Sequence, residues 1–156
     1  MYWIIGIFIG KNNMKRILRI NYRFYKNKND FDIIINFNKE YPFDFCLSII
    51  MLEQKIIERL ILLNNKKKLH FIYDDTLKGS KFIQRGLIYE IHLNQDNIGF
   101  LINYLLIYYR DEMADVSHIH IPLYNETRNT DLIIEVEKSK PPVSGEEAIK
   151  ILNQYD

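Results

Sequence analysis

This 156-residue chain has one cysteine, one tryptophan, two alanines, four prolines and six glycines. A lone thiol, Cys46, cannot close an internal disulfide, so the covalent framework of a small secreted domain is excluded. A reducing compartment fits, and the cytoplasm is the expected location. The glycines stand at positions 6, 10, 79, 86, 99 and 145, at spacings that match neither a G-x-G-x-x-G turn nor a G-x-x-x-x-G-K loop. Those two forms of nucleotide binding are ruled out. Neither sign of charge dominates, with 21 Lys and Arg against 20 Asp and Glu. No strong whole-molecule field therefore draws the chain to nucleic acid or to an anionic bilayer, and neither is expected as a partner.

Long apolar runs are also missing. The longest, Tyr2 to Ile9, falls far short of the roughly 20 residues of a membrane helix. Lys11 follows that run rather than preceding it, and no small-residue cleavage pattern appears, as a secretory signal would require. Residues 1–13 read as an apolar leader, and Met14-Lys15-Arg16-Ile17 offers an alternative start that would leave the leader without function. What is abundant is apolar and amide side chain: 47% of the chain is hydrophobic, with 27 Ile and 15 Asn. That content suffices for one core, and the length suits one domain of roughly 100–200 residues. The Asn64-Asn65-Lys66-Lys67-Lys68 run draws on the same Asn- and Lys-rich vocabulary and reads as a solvated helix end rather than a nucleic-acid patch.

Periodicity gives the elements. Leu18, Ile20, Tyr22 and Phe24 alternate with Arg19, Asn21 and Arg23, the pattern of a half-buried strand. A turn at 27–30 leads to a return strand over 31–37. From about Phe45 to Leu63, Ile49, Leu52, Ile56, Leu60 and Leu63 recur at three and four, predicting a core-facing helix. Short and long strands follow at 69–74 and about 82–93. A second helix opens near Asp96, a capping carboxylate, with Ile98, Leu101, Ile102, Leu105, Tyr108 and Tyr109 as its buried stripe. Strands at 117–124 and 131–137 complete the sheet. Pro141-Pro142 ends it, and Ser144 with Glu147 forms a capping box for a short helix to about Asn153.

The expected architecture is α+β, a two-layer sandwich of about six mostly antiparallel strands with two main helices packed on one face. Residues 14–140 form the domain, and 141–156 carry the short C-terminal helix. A doubly wound dinucleotide fold is excluded by the paired strands and the missing glycine fingerprint.

Chemistry-bearing residues are few. Cys46, in an apolar stretch without a nearby His, reads as a core thiol. His118-Ile119-His120 is the constellation that stands out, because residues two apart on a strand project from the same face. Asp111, Glu112 and Asp115 precede it. Two imidazoles permit a metal, but a catalytic site needs a third ligand, which His70, His92 or a carboxylate would have to supply. The ends of the chain differ in sign: residues 1–29 hold seven cationic and no acidic side chains, whereas residues 111–156 hold ten acidic and four basic ones. An acidic surface of this kind suits a basic partner.

From Gly86 to Glu137 the succession of strand Leu87 to His92, apolar helix, acidic turn, His118-Ile119-His120 and strand Leu132 to Val136 resembles a bacterial polymorphic-toxin immunity family, the thirty-second of its numbered series. The likeness covers about a third of the chain. The family's H-x-H histidines fall on His118 and His120. The glycine-containing turn that follows in the family is replaced here by Ile121-Pro122-Leu123-Tyr124-Asn125. The resemblance implies a non-catalytic protein without cofactor or metal that blocks a cognate protein toxin by occlusion. Tyr124, Tyr108 and Tyr109 are then candidate partner anchors, with Asp115 and Glu112 as charged contacts beside the two histidines. Two alternatives stay open on sequence: a metal-dependent hydrolase using His118 and His120, and an oligomer-forming scaffold joined through the second helix.

Overall fold

A computed structural model describes residues 5–10, 13–37, 42–65, 67–111 and 118–136. The elements are β1 (Ile5–Gly10), β2 (Asn13–Leu18), β3 (Tyr22–Lys26), β4 (Phe31–Phe37), α1 (Pro42–Glu53), β5 (Arg59–Asn64), β6 (Lys67–Tyr73), β7 (Lys81–Arg85), β8 (Ile88–Leu93), α2 (Gln95–Asp111), β9 (His118–Leu123) and β10 (Thr130–Val136). The class is α+β with mostly antiparallel strands. The expected single sheet of six strands is corrected: the described strands form a six-stranded sheet, β1-β2-β5-β6-β8-β7, and a four-stranded sheet, β3-β4-β10-β9. Three of the pairings, β2 with β5, β4 with β10 and β6 with β8, are parallel. The short C-terminal helix expected beyond Pro142 lies outside the described residues.

Local signals explain where the expected elements were cut. The alternation from Leu18 to Phe24 is real, with Leu18, Ile20 and Tyr22 buried and Arg19, Asn21 and Arg23 exposed. The chain nevertheless leaves the six-stranded sheet after Leu18 and enters the four-stranded one at Tyr22. The helix expected to reach Leu63 stops at Glu53. Lys55 takes φ 57°, and its N–H donates to the Leu52 carbonyl while that of Ile56 donates to Met51. This is a Schellman closure, with lysine at the left-handed position that glycine usually fills. Leu60, Ile61 and Leu62, all buried, then run as a strand. Asn65, at φ 54°, turns the chain from β5 into β6, so the Asn-Lys run is a hairpin turn rather than a helix end. Gly86, at φ 63°, divides the strand expected over 82–93 into β7 and β8.

Helix α2 is capped by Asn94 rather than by Asp96. Asn94 Oδ1 accepts from the Asn97 N–H at 3.1 Å, and its carbonyl accepts the first helical bond from Ile98 at 3.0 Å. Ser80 Oγ accepts from the Asn94 N–H and donates to its Oδ1, which ties the loop before β7 to the helix start.

One apolar core joins everything. Phe24 and Phe31 of the four-stranded sheet meet Tyr89 and Phe82 of the six-stranded one, with centroids 4.4 and 5.2 Å apart. Farther along, Phe45 of α1 stands between Phe37 on β4 and Phe71 on β6. Rings packed edge to face or tilted at these distances add about 0.5–1.5 kcal/mol per pair beyond their buried area. Cys46 is buried in this core, and burial pushes its thiol up from the ordinary value, as an inert structural cysteine requires.

Candidate interface on the four-stranded sheet

The two histidines stand where strand alternation places them. On β9, Ile119, Ile121 and Leu123 enter the core, and His118 and His120 project outward from the other face. Their rings meet edge to face with centroids 5.2 Å apart. Neighbouring strands supply the rest of that face. His120 pairs across the ladder with Ile133, and His118 with Glu135. His120 Nδ1 lies 3.3 Å from Asp131 Oδ2, both side chains being more than one-third exposed.

The parallel pairing of β10 with β4 brings in residues about a hundred positions away. Asn36 Nδ2 donates to Glu135 Oε2 at 3.0 Å, and Arg23 Nη2 of β3 lies 3.6 Å from the same oxygen. Asp32, opposite Ile133's neighbourhood on β4, has its carboxyl pushed up. Burial is the largest cause, and the nearby carboxylates of Asp131 and Asp30 add to it. The face thus carries one guanidinium, three carboxylates and two imidazoles on four hydrogen-bonded strands. Such groups favour a partner offering cations and hydrogen-bond donors, and a rigid sheet pre-orients them at small entropic cost.

The other residues expected here divide. Tyr124, just beyond β9, is 67% exposed. Its N–H donates to the Ser80 carbonyl and its own carbonyl accepts from Phe82, so it also joins the edges of the two sheets. Tyr108 is corrected: at 7% exposure it belongs to the core, because it continues the Ile98-Leu101-Leu105 stripe of α2. Glu112 and Asp115 lie outside the described residues, as does the side chain of Tyr109. Arg23, Asn36, Asp131 and Glu135 were missed in the sequence. Their outward alternation was visible, but the strand pairing that gathers them was not.

His70 and His92 do not converge on His118 and His120. They sit on the outer face of the six-stranded sheet, where ladder pairing sets His70 beside Glu90 and Ile72 beside His92. Glu90 is buried. Its Oε1 accepts from Arg59 Nη1 at 3.2 Å, and its Oε2 lies 3.1 Å from His92 Nε2. Burial opposes ionisation of Glu90, yet the hydrogen bonds from His92 and Arg59 prevail and hold its carboxyl below the ordinary value. Arg59 Nη1 also reaches His70 Nδ1 at 3.2 Å, and since a guanidinium only donates, the neutral ring carries its proton on Nε2. That Nε2 is buried without a hydrogen-bond partner. Burial, with Arg59 second, holds the His70 imidazole below its ordinary value.

Among the described residues, no three His, Cys, Asp or Glu side chains are grouped closely enough to hold a metal ion, and no helix is long and apolar enough to cross a membrane. No family model matches this chain, and no curated protein or solved structure matches it either.

Proposed function

We propose that this chain is a non-catalytic binding protein of the immunity type, which neutralises a cognate bacterial toxin in the cytoplasm by covering it with the outer face of the four-stranded sheet. The observation that carries the reading is the outward-facing, pre-arranged set of His118, His120 and Arg23, all exposed, with the half-buried Asp131 and Glu135 on that one face. The resemblance of residues 86–137 to an immunity family supplies the class. The acidic balance of the face favours a toxin surface rich in Lys and Arg, whose approach it would steer. Inhibition by occlusion asks for roughly 800 Å² buried on each partner. Tyr124, exposed at the edge of this face, is the aromatic anchor, since tyrosines of this kind concentrate binding energy.

The test is genetic and then physical. The product of a neighbouring toxin gene, lethal alone in a host cell, becomes tolerated on co-expression with this chain, and the two purify as a complex. His120→Ala combined with Tyr124→Ala weakens that complex at least tenfold at unchanged thermal stability. Lethality that persists at full expression of the intact chain removes the reading.

A further inference from the structure

Where the chain crosses from β2 to β3 lies a cleft of about 650 Å³ lined by Arg19, Asn21, Asn36, Asn64 and Asn65 together with Ile20 and Leu63. A second cavity of about 400 Å³ shares Asn64 and Asn65 and adds Arg23 and Lys67. The composition is selective. In a chain with 20 carboxylate side chains, the described residues lining both cavities include three cations, four amides and no carboxylate.

The disposition of these groups narrows the ligand. Arg19 and Lys67 have no ion-pair partner among the described residues. Lys67 Nζ rests 5.2 Å over the Phe24 ring. Arg23 shares Glu135 with Asn36, so that carboxylate holds one side chain of each cavity in place. Asn64 Nδ2 donates to the Tyr22 carbonyl at 2.7 Å, fixing the hairpin turn between the cavities and leaving its amide oxygen to accept. Unpaired cations suit phosphate oxygens. Amides both donate and accept, which suits the edge of a heterocyclic base or sugar hydroxyls. A simple anion needs only the cations, and an acidic peptide gains little from four amides. The larger cavity lies within the roughly 300–1,000 Å³ of small-ligand sites.

We propose that this cleft binds a free mononucleotide, with base and sugar among the asparagines and the phosphates on the cations. Because the cations are divided between two cavities that share Asn64 and Asn65 in their linings, a triphosphate is expected to engage both sets and a monophosphate only one. The site does not rest on the toxin-binding reading, although Arg23 and Asn36 belong to both regions, and it requires no glycine-rich loop.

Isothermal titration calorimetry on the full chain at low salt tests this with ATP, AMP, tripolyphosphate, inorganic phosphate and a ten-residue single-stranded RNA. ATP is expected to bind at least tenfold more tightly than AMP and than tripolyphosphate. Arg19→Gln and Lys67→Gln each weaken ATP at least fivefold, and Asn21→Ala weakens ATP while leaving tripolyphosphate unchanged. All three side chains are exposed, so urea unfolding of each variant matches that of the parent chain. No heat from ATP at millimolar concentration overturns the proposal. Equal affinity for ATP and tripolyphosphate overturns it in favour of a bare anion site, and binding of the RNA without ATP overturns it in favour of a nucleic-acid groove.

Discussion

The two sheets each carry a pair of histidines beside a carboxylate on the outer face, and the pairs have opposite fates. On the four-stranded sheet, His120 and Asp131 meet in solvent, where a charge pair contributes little to folding. On the six-stranded sheet, Glu90 is buried between Arg59 and His92, and His70 is buried with an idle nitrogen. The same side chains are thus left to solvent in one place, where the proposed function would use them, and are built into the packing in the other. Water decides between them, because the desolvation of a charge, and not its identity, makes its partners indispensable.

The largest effect that tests this contrast falls on Glu90. Glu90→Ala removes the carboxylate that Arg59 and His92 share and is expected to cost about 2–3 kcal/mol, read as a lower urea midpoint. An unchanged midpoint breaks the comparison at its stronger end.

Next comes pH. His70 is held below its ordinary value when folded, so the unfolded chain binds the proton more readily. Its contribution is fully present above the unfolded value near 6.5 and is lost as pH falls from there through the folded value. Thermal melting between pH 7.5 and 5 should therefore fall in the parent chain and fall less in His70→Gln.

Asp32 on the other sheet has the opposite sign. Its folded carboxyl is raised, so whatever it contributes is present at low pH and lost as pH rises through the folded value. Asp32→Asn should gain a few tenths of a kcal/mol at pH 7, a gain that vanishes near pH 3. An effect of no more than a few tenths of a kcal/mol in urea is expected for His120→Ala, the change that the proposed function expects to weaken partner binding. A drop of several kcal/mol there would make His120 structural and erase the contrast.

Much of this arrangement was legible before any coordinates. Strand alternation placed His118 and His120 outward, gave the β3–β4 hairpin and found both helices, because period-2 and period-3.6 burial leave strong marks. What escaped detection was punctuation without its usual residue. Lys55 and Asn65 adopt left-handed conformations in place of glycine, so a helix seemed to continue through what is a turn and a strand. The parallel pairing of β4 with β10 has no local signature at all, which is why Asn36 and Glu135, 99 residues apart, were not recognised as neighbours.

The passage of the chain from β2 into β3 has a thermodynamic corollary. A single uninterrupted length of backbone gives a strand to each sheet, and α1 returns the chain from β4 to β5, so each sheet is assembled from two separated stretches of sequence and both close on one shared core. Calorimetry should accordingly record one peak, with equal van't Hoff and calorimetric enthalpies, and slow amide exchange should extend across both sheets together.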